Sequence, residues 1–155
     1  MTSASPTELP DLDPVSQPLA AGTGRQPLRL LGHFLSAGFP SPAEPYEEET
    51  LDLTEYLVRN RAATFLFTVK GDSMKGAGIV AGDKVLVDRA LEACHGDIVV
   101  AAVAGEYTLK RLFRREGEVA LLPENPAYAP IRFREGAELQ VWGVVVGLVR
   151  RYRRR

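Results

Sequence analysis

Residues 84–122 read "KVLVDRALEACHGDIVVAAVAGEYTLKRLFRREGEVALL", and this stretch decides the fold. Four runs rich in valine, leucine and aromatic residues are separated in it by three connections, each of which contains glycine: "CHGD", "VAGE" and "RREGE". That composition is typical of β-strands joined by tight turns. Because the turns follow one another closely, we expect antiparallel hairpins or a small barrel.

The same pattern extends over the chain from residue 64 onward. The predicted strands are "TFLFTVK", "KVLVDR", "DIVVAAV", "EYTLKRLFR", "EVALLPEN", "PIRFRE" and "ELQVWGVVVGLVRRY". A short helix is predicted before them in "LDLTEYLVRN", where Asp52 and Glu55 have the spacing of a capping box. The predicted fold class is therefore mainly β, a small antiparallel β domain over residues 51–150 with a short helix before it.

The first 50 residues have a different composition and contain eight of the eleven prolines. Such a segment cannot bury enough apolar area to offset the entropy lost on ordering. We predict a flexible N-terminal arm over residues 1–50, in which the flexible residues 1–28 are followed by an apolar patch. The apolar patch "LRLLGHFLSAGFPSP", residues 28–42, is unusual in such an arm and requires an explanation.

The net charge of −1 conceals a basic tail. The segment "RRYRRR" at residues 150–155 carries five arginines, and residues 151–155 are treated as the tail. A tail of this kind is either a solvated terminus or a contact with nucleic acid or an acidic partner, because clustered arginines can displace counterions from phosphates. The residues leave a direct contact with DNA open.

The composition also argues against several classes of protein. One cysteine, Cys94, cannot form an internal disulfide, and with two histidines it is too little for the usual zinc sites, so we expect no metal and no cofactor. No apolar run reaches about 18 residues and no secretory signal is evident, so we expect a cytoplasmic protein without a membrane segment.

Ser73, in "GDSMKG", is either a turn residue or a nucleophile. No "GxSxG" elbow surrounds it, and His33 and His95 fall in the arm and in a turn. Lys110, in a predicted strand, is a possible base, although a strand lysine is also a common solvated edge residue. To accept the serine proton it must be neutral, so burial must lower its pKa from about 10.4 towards 7–8.

Residues 71–112, "GDSMKGAGIVAGDKVLVDRALEACHGDIVVAAVAGEYTLKRL", resemble the catalytic core of the LexA and UmuD family of self-cleaving Ser–Lys proteins. The later segments "LLPENPAYAPI" and "VWGVVVGLVR" are also similar to that family, so the likeness covers residues 34–150. It implies that Ser73 and Lys110, 37 residues apart, form a catalytic dyad, and that the backbone N–H groups of Asp72 and Ser73 form the oxyanion hole. The Asp72 carboxylate is expected to stabilise the turn or cap a helix, and Met74 to pack or to line the pocket.

The resemblance further implies self-cleavage between Ala37 and Gly38, in "SAGFPSP". The apolar patch would then be the substrate arm that lies in the protein's own cleft. Cleavage within one chain and cleavage between protomers both stay open, since about 36 residues of tether can span either distance.

A repressor is disfavoured because no helix-turn-helix can be written before the bond, and a signal peptidase because it needs a membrane anchor. The UmuD-like branch remains. It implies a homodimer, cleavage stimulated by a RecA–single-stranded-DNA filament, and a shortened product, Gly38–Arg155, that binds a UmuC-like subunit of the Y-family DNA polymerases. The alternatives are a non-catalytic dimeric polymerase-binding module, a LexA-like repressor fragment without its DNA-binding module, and a His95-assisted hydrolase of outside substrates.

Overall fold

The computed structural model describes residues 27–32, 34–40, 42, 45, 47–134 and 139–153. Residues 1–26, which were predicted to be flexible, lie outside these ranges, as do residues 154 and 155 of the basic tail. Strands β1–β9 and helix α1 within them are β1 Leu28–Leu31, β2 Glu48–Leu51, α1 Leu53–Leu57, β3 Thr64–Thr68, β4 Lys84–Asp88, β5 Ile98–Val103, β6 Glu106–Arg115, β7 Glu118–Leu122, β8 Ile131–Phe133 and β9 Gln140–Val149.

Strands β3 to β9 form one seven-stranded sheet in the order β3-β4-β9-β5-β6-β7-β8, and every neighbouring pair is antiparallel. All seven strands predicted from the sequence are present within a few residues of their predicted ends. The prediction of a mainly antiparallel β domain is therefore confirmed. The glycine-bearing turns do join the hairpins β5–β6 and β6–β7, at Gly105 and Gly117, with backbone φ angles of +80° and +76°.

The long strand β9 lies between β4 and β5 and carries two β-bulges. One bulge leaves Trp142 without a partner on β5, so this side chain is re-aimed relative to a regular ladder. Its ring packs edge-on against Phe67, with centroids 4.9 Å apart, and against Tyr107, with centroids 6.2 Å apart. These two aromatic residues also line the cleft beside Ser73.

The sheet supports two clusters of buried apolar side chains. Strand β5 contributes to both, because Val99 and Ala101 belong to one cluster and Val100 to the other. The second cluster also buries Met74, which has 1% of its surface exposed. Burial of Met74 fixes the adjacent Ser73 to the core.

Helix α1 has the N-terminal cap that the sequence predicted. One carboxylate oxygen of Asp52 accepts hydrogen bonds from the N–H groups of Thr54 and Glu55, at 2.9 and 3.1 Å. The helix is one and a half turns long, and Leu57 reaches close to Gly147 on β9. A methyl group at Gly147 would lie 2.9 Å from the Leu57 side chain, so glycine permits this contact.

A second, two-stranded sheet was not anticipated. Strand β1 pairs antiparallel with β2, with Leu28 opposite Leu51 and Leu31 opposite Glu48. The hairpin crosses the predicted boundary at residue 51 and begins inside the predicted arm. The segment "EETL" has no clear alternation of apolar and polar residues, so its pairing depends on a distant partner strand and left no local signal.

Candidate active site

Ser73 lies in a tight turn after β3. Gly71 has a φ angle of +82°, which favours glycine, and a short 3₁₀ turn follows at Lys75–Ala77. The N–H of Lys75 donates to the Asp72 carbonyl at 3.2 Å. Because Met74 points into the core, the turn presents the neighbouring Ser73 side chain half-exposed at the surface.

The loop after β7 holds this turn by backbone hydrogen bonds. The N–H of Glu124 donates to the Ser73 carbonyl, and the N–H of Gly76 donates to the Glu124 carbonyl, each at 2.8 Å. A Cβ atom at Gly76 would lie 2.5 Å from that carbonyl oxygen, which is backbone and cannot easily yield. Glycine at position 76 is therefore required for the close approach of the two segments.

Side chains of the same loop hold Asp72. The Asn125 side-chain amide donates to the Asp72 carbonyl at 3.0 Å, and the Tyr128 hydroxyl donates to the Asp72 carboxylate at 2.6 Å. The hydrogen bond to this carboxylate raises the pKa of Tyr128. The Asp72 side chain thus stabilises the turn through Tyr128, and the possibility that it caps the following helix is wrong, since that short turn has no side-chain cap.

Lys110, on β6, points its amine at Ser73. Its Nζ donates to the Ser73 Oγ at 3.0 Å, to the Thr108 Oγ1 at 2.8 Å and to the Leu109 carbonyl at 3.0 Å. Only 8% of the Lys110 surface is exposed, and this burial lowers the pKa of its amine. No carboxylate within the described ranges forms a salt bridge with it, so desolvation is not offset by a counter-charge.

A cleft of about 380 Å³ opens beside Ser73. It runs between the end of β3 and the start of β6, and its wall is mostly apolar. The side chains and backbone that line it come from Phe67, Thr68, Val69, Lys70, Gly71, Ser73, Met74, Val85, Val100, Tyr107, Thr108 and Leu109. A groove of this kind can hold an extended peptide with apolar side chains.

The residues of the predicted scissile bond, Ala37 and Gly38, lie in the exposed connection between β1 and β2. Nearby Phe34, Leu35 and Phe39 have 92%, 94% and 92% of their surfaces exposed. A Cβ atom at Gly38 would meet no atom within 4 Å. The structure therefore brings Ser73 and Lys110 together but leaves the predicted substrate segment outside the cleft, and its docking stays a prediction.

His95, the remaining candidate base within the described residues, is used elsewhere. Its Nδ1 accepts a hydrogen bond from the Arg114 N–H at 3.1 Å, and its ring packs edge-on against Phe113. Cys94, next to it, is exposed. Neither residue contacts the Ser73 turn by a hydrogen bond, which gives a His95-assisted reaction no support from the geometry.

In the part of the chain that the structure describes, no three His, Cys, Asp or Glu side chains form a group that could hold a metal ion. The described helices include none long and apolar enough to cross a membrane. The side-chain groups that the structure places beside Ser73 Oγ include the buried Lys110 amine and the Thr108 hydroxyl.

Comparison with known proteins decides the family. The model of the Peptidase S24-like family matches residues 29–146, a range that contains Ser73, Lys110 and the Ala37–Gly38 bond. The chain belongs to the S24 peptidase family. It is similar to protein SamA of Salmonella typhimurium, with 44% identity over 93% of this chain and 94% of the relative.

Other relatives indicate the subgroup of the S24 family to which this chain belongs. It is 42% identical to protein ImpA of Escherichia coli over 80% of this chain and 84% of the relative. It is also 37% identical to the LexA repressor of Bordetella avium, over 92% of this chain but 66% of the repressor. The chain is thus a UmuD-like member of the LexA and UmuD group of self-cleaving proteins related to SOS mutagenesis, as the resemblance implied.

Sequence reasoning missed three side chains of the candidate site in this S24 family member. Thr108 could have been found, because residues two apart on a strand share a face and Thr108 precedes Lys110 by two. Asn125 and Tyr128 reach Asp72 across a separation of more than 50 residues, and no local pattern could have paired them.

Proposed function

We propose that this protein is a serine peptidase that cleaves its own chain between Ala37 and Gly38, with Ser73 as nucleophile and Lys110 as general base. The observation that carries the proposal is the 3.0 Å contact of a buried lysine amine with a serine hydroxyl beside an apolar cleft. Neutral amines are what a Ser–Lys mechanism needs, and burial without a counter-charge favours the neutral form.

The reaction would be acyl transfer in two halves. Ser73 Oγ attacks the Ala37 carbonyl carbon while its proton passes to the Lys110 Nζ, and the same proton then goes to the leaving nitrogen of Gly38. Water next attacks the resulting ester, gives a proton to Lys110 and releases the Ala37 carboxylate, while the Ser73 oxygen is protonated again. Two chains result, ending at Ala37 and beginning at Gly38.

The remaining groups would orient the amine and stabilise the oxyanion. Thr108 and the Leu109 carbonyl accept the other two hydrogen bonds of the Lys110 amine, so the amine is fixed in direction. The N–H groups of Asp72 and Ser73 donate to no acceptor within the described residues and are therefore available to an oxyanion. Asn125 and Tyr128 would act only by holding Asp72 in place.

The cleaved form, Gly38–Arg155, would act as the homodimeric accessory subunit of an error-prone Y-family DNA polymerase, with a RecA–single-stranded-DNA filament as the stimulus of cleavage. Membership of the UmuD-like group supports this assignment. We propose the cytoplasm as the compartment. Pull-down of a UmuC-like subunit by the chain starting at Gly38, compared with the full chain, tests the partner, and a shortened chain that captures no polymerase subunit would contradict it.

The competing function is a dimeric polymerase-binding module whose Ser73 and Lys110 no longer react. Purified parent, Ser73→Ala and Lys110→Ala chains incubated at alkaline pH with and without RecA filament separate the two. We expect the parent alone to lose residues 1–37. Equal cleavage of all three chains would remove Ser73 and Lys110 from the reaction, and no cleavage of any chain would favour the module.

A further inference from the structure

Exposed lysine and arginine side chains lie near one end of the seven-stranded sheet. Strands β3, β4 and β9 are neighbours, with Thr68 opposite Lys84 and Lys84 opposite Val149. The pairing continues past β3, where the Val69 backbone exchanges hydrogen bonds with Gly82 and Asp83. This register puts Lys84 and, just past β3, Lys70 at one end of the sheet, and the exposed Arg151 and Arg153 follow the end of β9 there. We call Lys70, Lys84, Arg151 and Arg153 the basic end.

Arg150 holds the segment that carries Arg151 and Arg153 against the body of the domain. Its guanidinium donates to both carboxylate oxygens of Asp83 at 2.6 Å and to the Gly78 carbonyl at 2.7 Å. Asp83 has 2% of its surface exposed, and the hydrogen bonds from Arg150 lower its pKa to about 2. Arg150 thus already balances the negative charge of Asp83, so Asp83 does not need Arg151 or Arg153 as a counter-charge.

Tyr152 lies between these two arginines with 87% of its surface exposed. An exposed aromatic ring flanked by arginines has two uses towards a single-stranded nucleic acid, because the arginines contact phosphates while a base stacks on the ring. An acidic peptide would engage the cations and leave the ring unused. We propose that the basic end binds single-stranded nucleic acid, with phosphates on its four cations and a base on Tyr152.

The basic end adjoins the cleft without sharing its chemistry. Thr68, Val69 and Lys70 line the cleft, so a strand bound at Lys70 would lie at the rim of the groove that holds Ser73. The binding needs neither the Ser73 hydroxyl nor the Lys110 amine. A Ser73→Ala chain can therefore serve as the test protein, and failure of self-cleavage and failure of nucleic-acid binding are separate results.

The test is fluorescence anisotropy of a labelled oligothymidylate of about 20 nucleotides with the full Ser73→Ala chain over a range of salt concentrations. Four phosphate contacts predict a slope of log affinity against log salt of about −3. Arg151→Gln with Arg153→Gln is expected to remove about half of that slope. Tyr152→Ala should weaken binding at least about fivefold while the slope stays the same.

The matched control is Arg132→Gln with Arg134→Gln, which removes the same charge; Arg132 lies in β8 and Arg134 directly after it, at the sheet edge opposite β3. This control should bind like the Ser73→Ala chain. Equal loss in both double variants would reduce the effect to net charge and overturn the proposal. Polyglutamate or duplex DNA that binds as tightly, with no effect of Tyr152→Ala, would overturn it in favour of an acidic partner or a nonspecific polyanion. Unchanged thermal unfolding of each variant shows that the fold is intact.

Discussion

The Ser73 turn and the Ala37–Gly38 segment are the two halves of the proposed reaction, and they are built in opposite ways. The Ser73 turn is held by hydrogen bonds from backbone or side-chain groups of four residues: Glu124, Asn125, Tyr128 and Lys110. The other segment exposes its apolar side chains almost completely, and a Cβ atom at Gly38 would meet no atom within 4 Å. In the structure the proposed catalytic half is assembled, whereas the proposed substrate half lies outside the cleft.

This difference suggests that in the proposed reaction docking of the arm is an unfavourable equilibrium that precedes the chemical step at Ser73 and Lys110. A site that is already in place needs no external factor to complete it, whereas an exposed apolar segment must lose conformational freedom before it enters the cleft. A stimulating filament would then act on the arm rather than on Ser73 and Lys110.

The largest effect is expected from Lys110→Met, which removes the base but keeps a side chain of similar length. Cleavage should slow by about 10²- to 10⁴-fold. Because burial lowers the pKa of Lys110 in the folded chain, the unfolded chain binds more protons, and the parent gains stability as pH rises towards about 10.4. In Lys110→Met this increase of stability with pH should be absent. Thermal unfolding of the variant and the parent at pH 7, 9 and 10 measures it. A variant that cleaves as fast as the parent would remove Lys110 from the mechanism.

The next effect is the pH dependence of the parent rate. Below the lowered pKa of Lys110, each pH unit should raise the neutral amine, and thus the rate, about tenfold, and the rate should level off above it. Cleavage followed by gel densitometry from pH 6 to pH 10 measures this. A rate that rises only around pH 6.5 and is then constant would point to a histidine instead.

A smaller effect is expected from Gly76→Ala, which breaks the contact between the Ser73 turn and the Glu124 loop. The new methyl group would lie 2.5 Å from the Glu124 carbonyl oxygen. The turn must shift, so the rate should fall about tenfold or more and the free energy of unfolding by about 1–3 kcal/mol.

The matched control for this change is Gly147→Ala, which places a methyl group 2.9 Å from the Leu57 side chain on α1, and neither residue lines the cleft. It should lower stability without changing the rate per folded molecule. If both variants lose activity only in proportion to their unfolded fraction, the contact with Glu124 does not position Ser73.

The smallest effect is expected in the exposed half. Phe39→Ala should change the free energy of unfolding by less than about 0.5 kcal/mol, because the ring is 92% exposed. Cleavage should still slow several-fold, since the ring would be buried only when the arm lies in the cleft. Tyr56→Ala, with a ring 69% exposed on α1, is the control that should leave the rate unchanged. Equal rates for all three chains would contradict docking through Phe39.

The two halves also differ in how far the sequence predicted them. Strands β3 to β9 were predictable because alternating valine and aromatic runs between glycine turns are local signals. Ser73 and Lys110 were predictable as a pair only through the family resemblance, since a serine in a turn and a lysine on a strand are common. The hairpin β1–β2 was not predictable, because "LRLL" and "EETL" are ordered by each other and not by their own patterns.

The contacts that hold the Ser73 turn were also not predictable from local sequence patterns. The contacts of Tyr128 and Asn125 with Asp72 join segments separated by 56 and 53 positions, and the need for glycine at position 76 follows only from the approach of Glu124. The sequence contains these residues in "GDSMKG" and "PENPAY", but their partners are set by the packing of the sheet. The family resemblance identifies the proposed reacting groups, but not the groups that hold them.

The central claim is that an assembled Ser73 and Lys110 cut an arm that docks afterwards. Intact-mass measurement of the purified chain, incubated at pH 7 and pH 10 with and without RecA filament, tests it most directly. The account predicts two new masses, one chain ending at Ala37 and one beginning at Gly38, formed faster at pH 10 or with filament and absent for Ser73→Ala. Cleavage at another bond, or the same two masses from the Ser73→Ala chain, would contradict it.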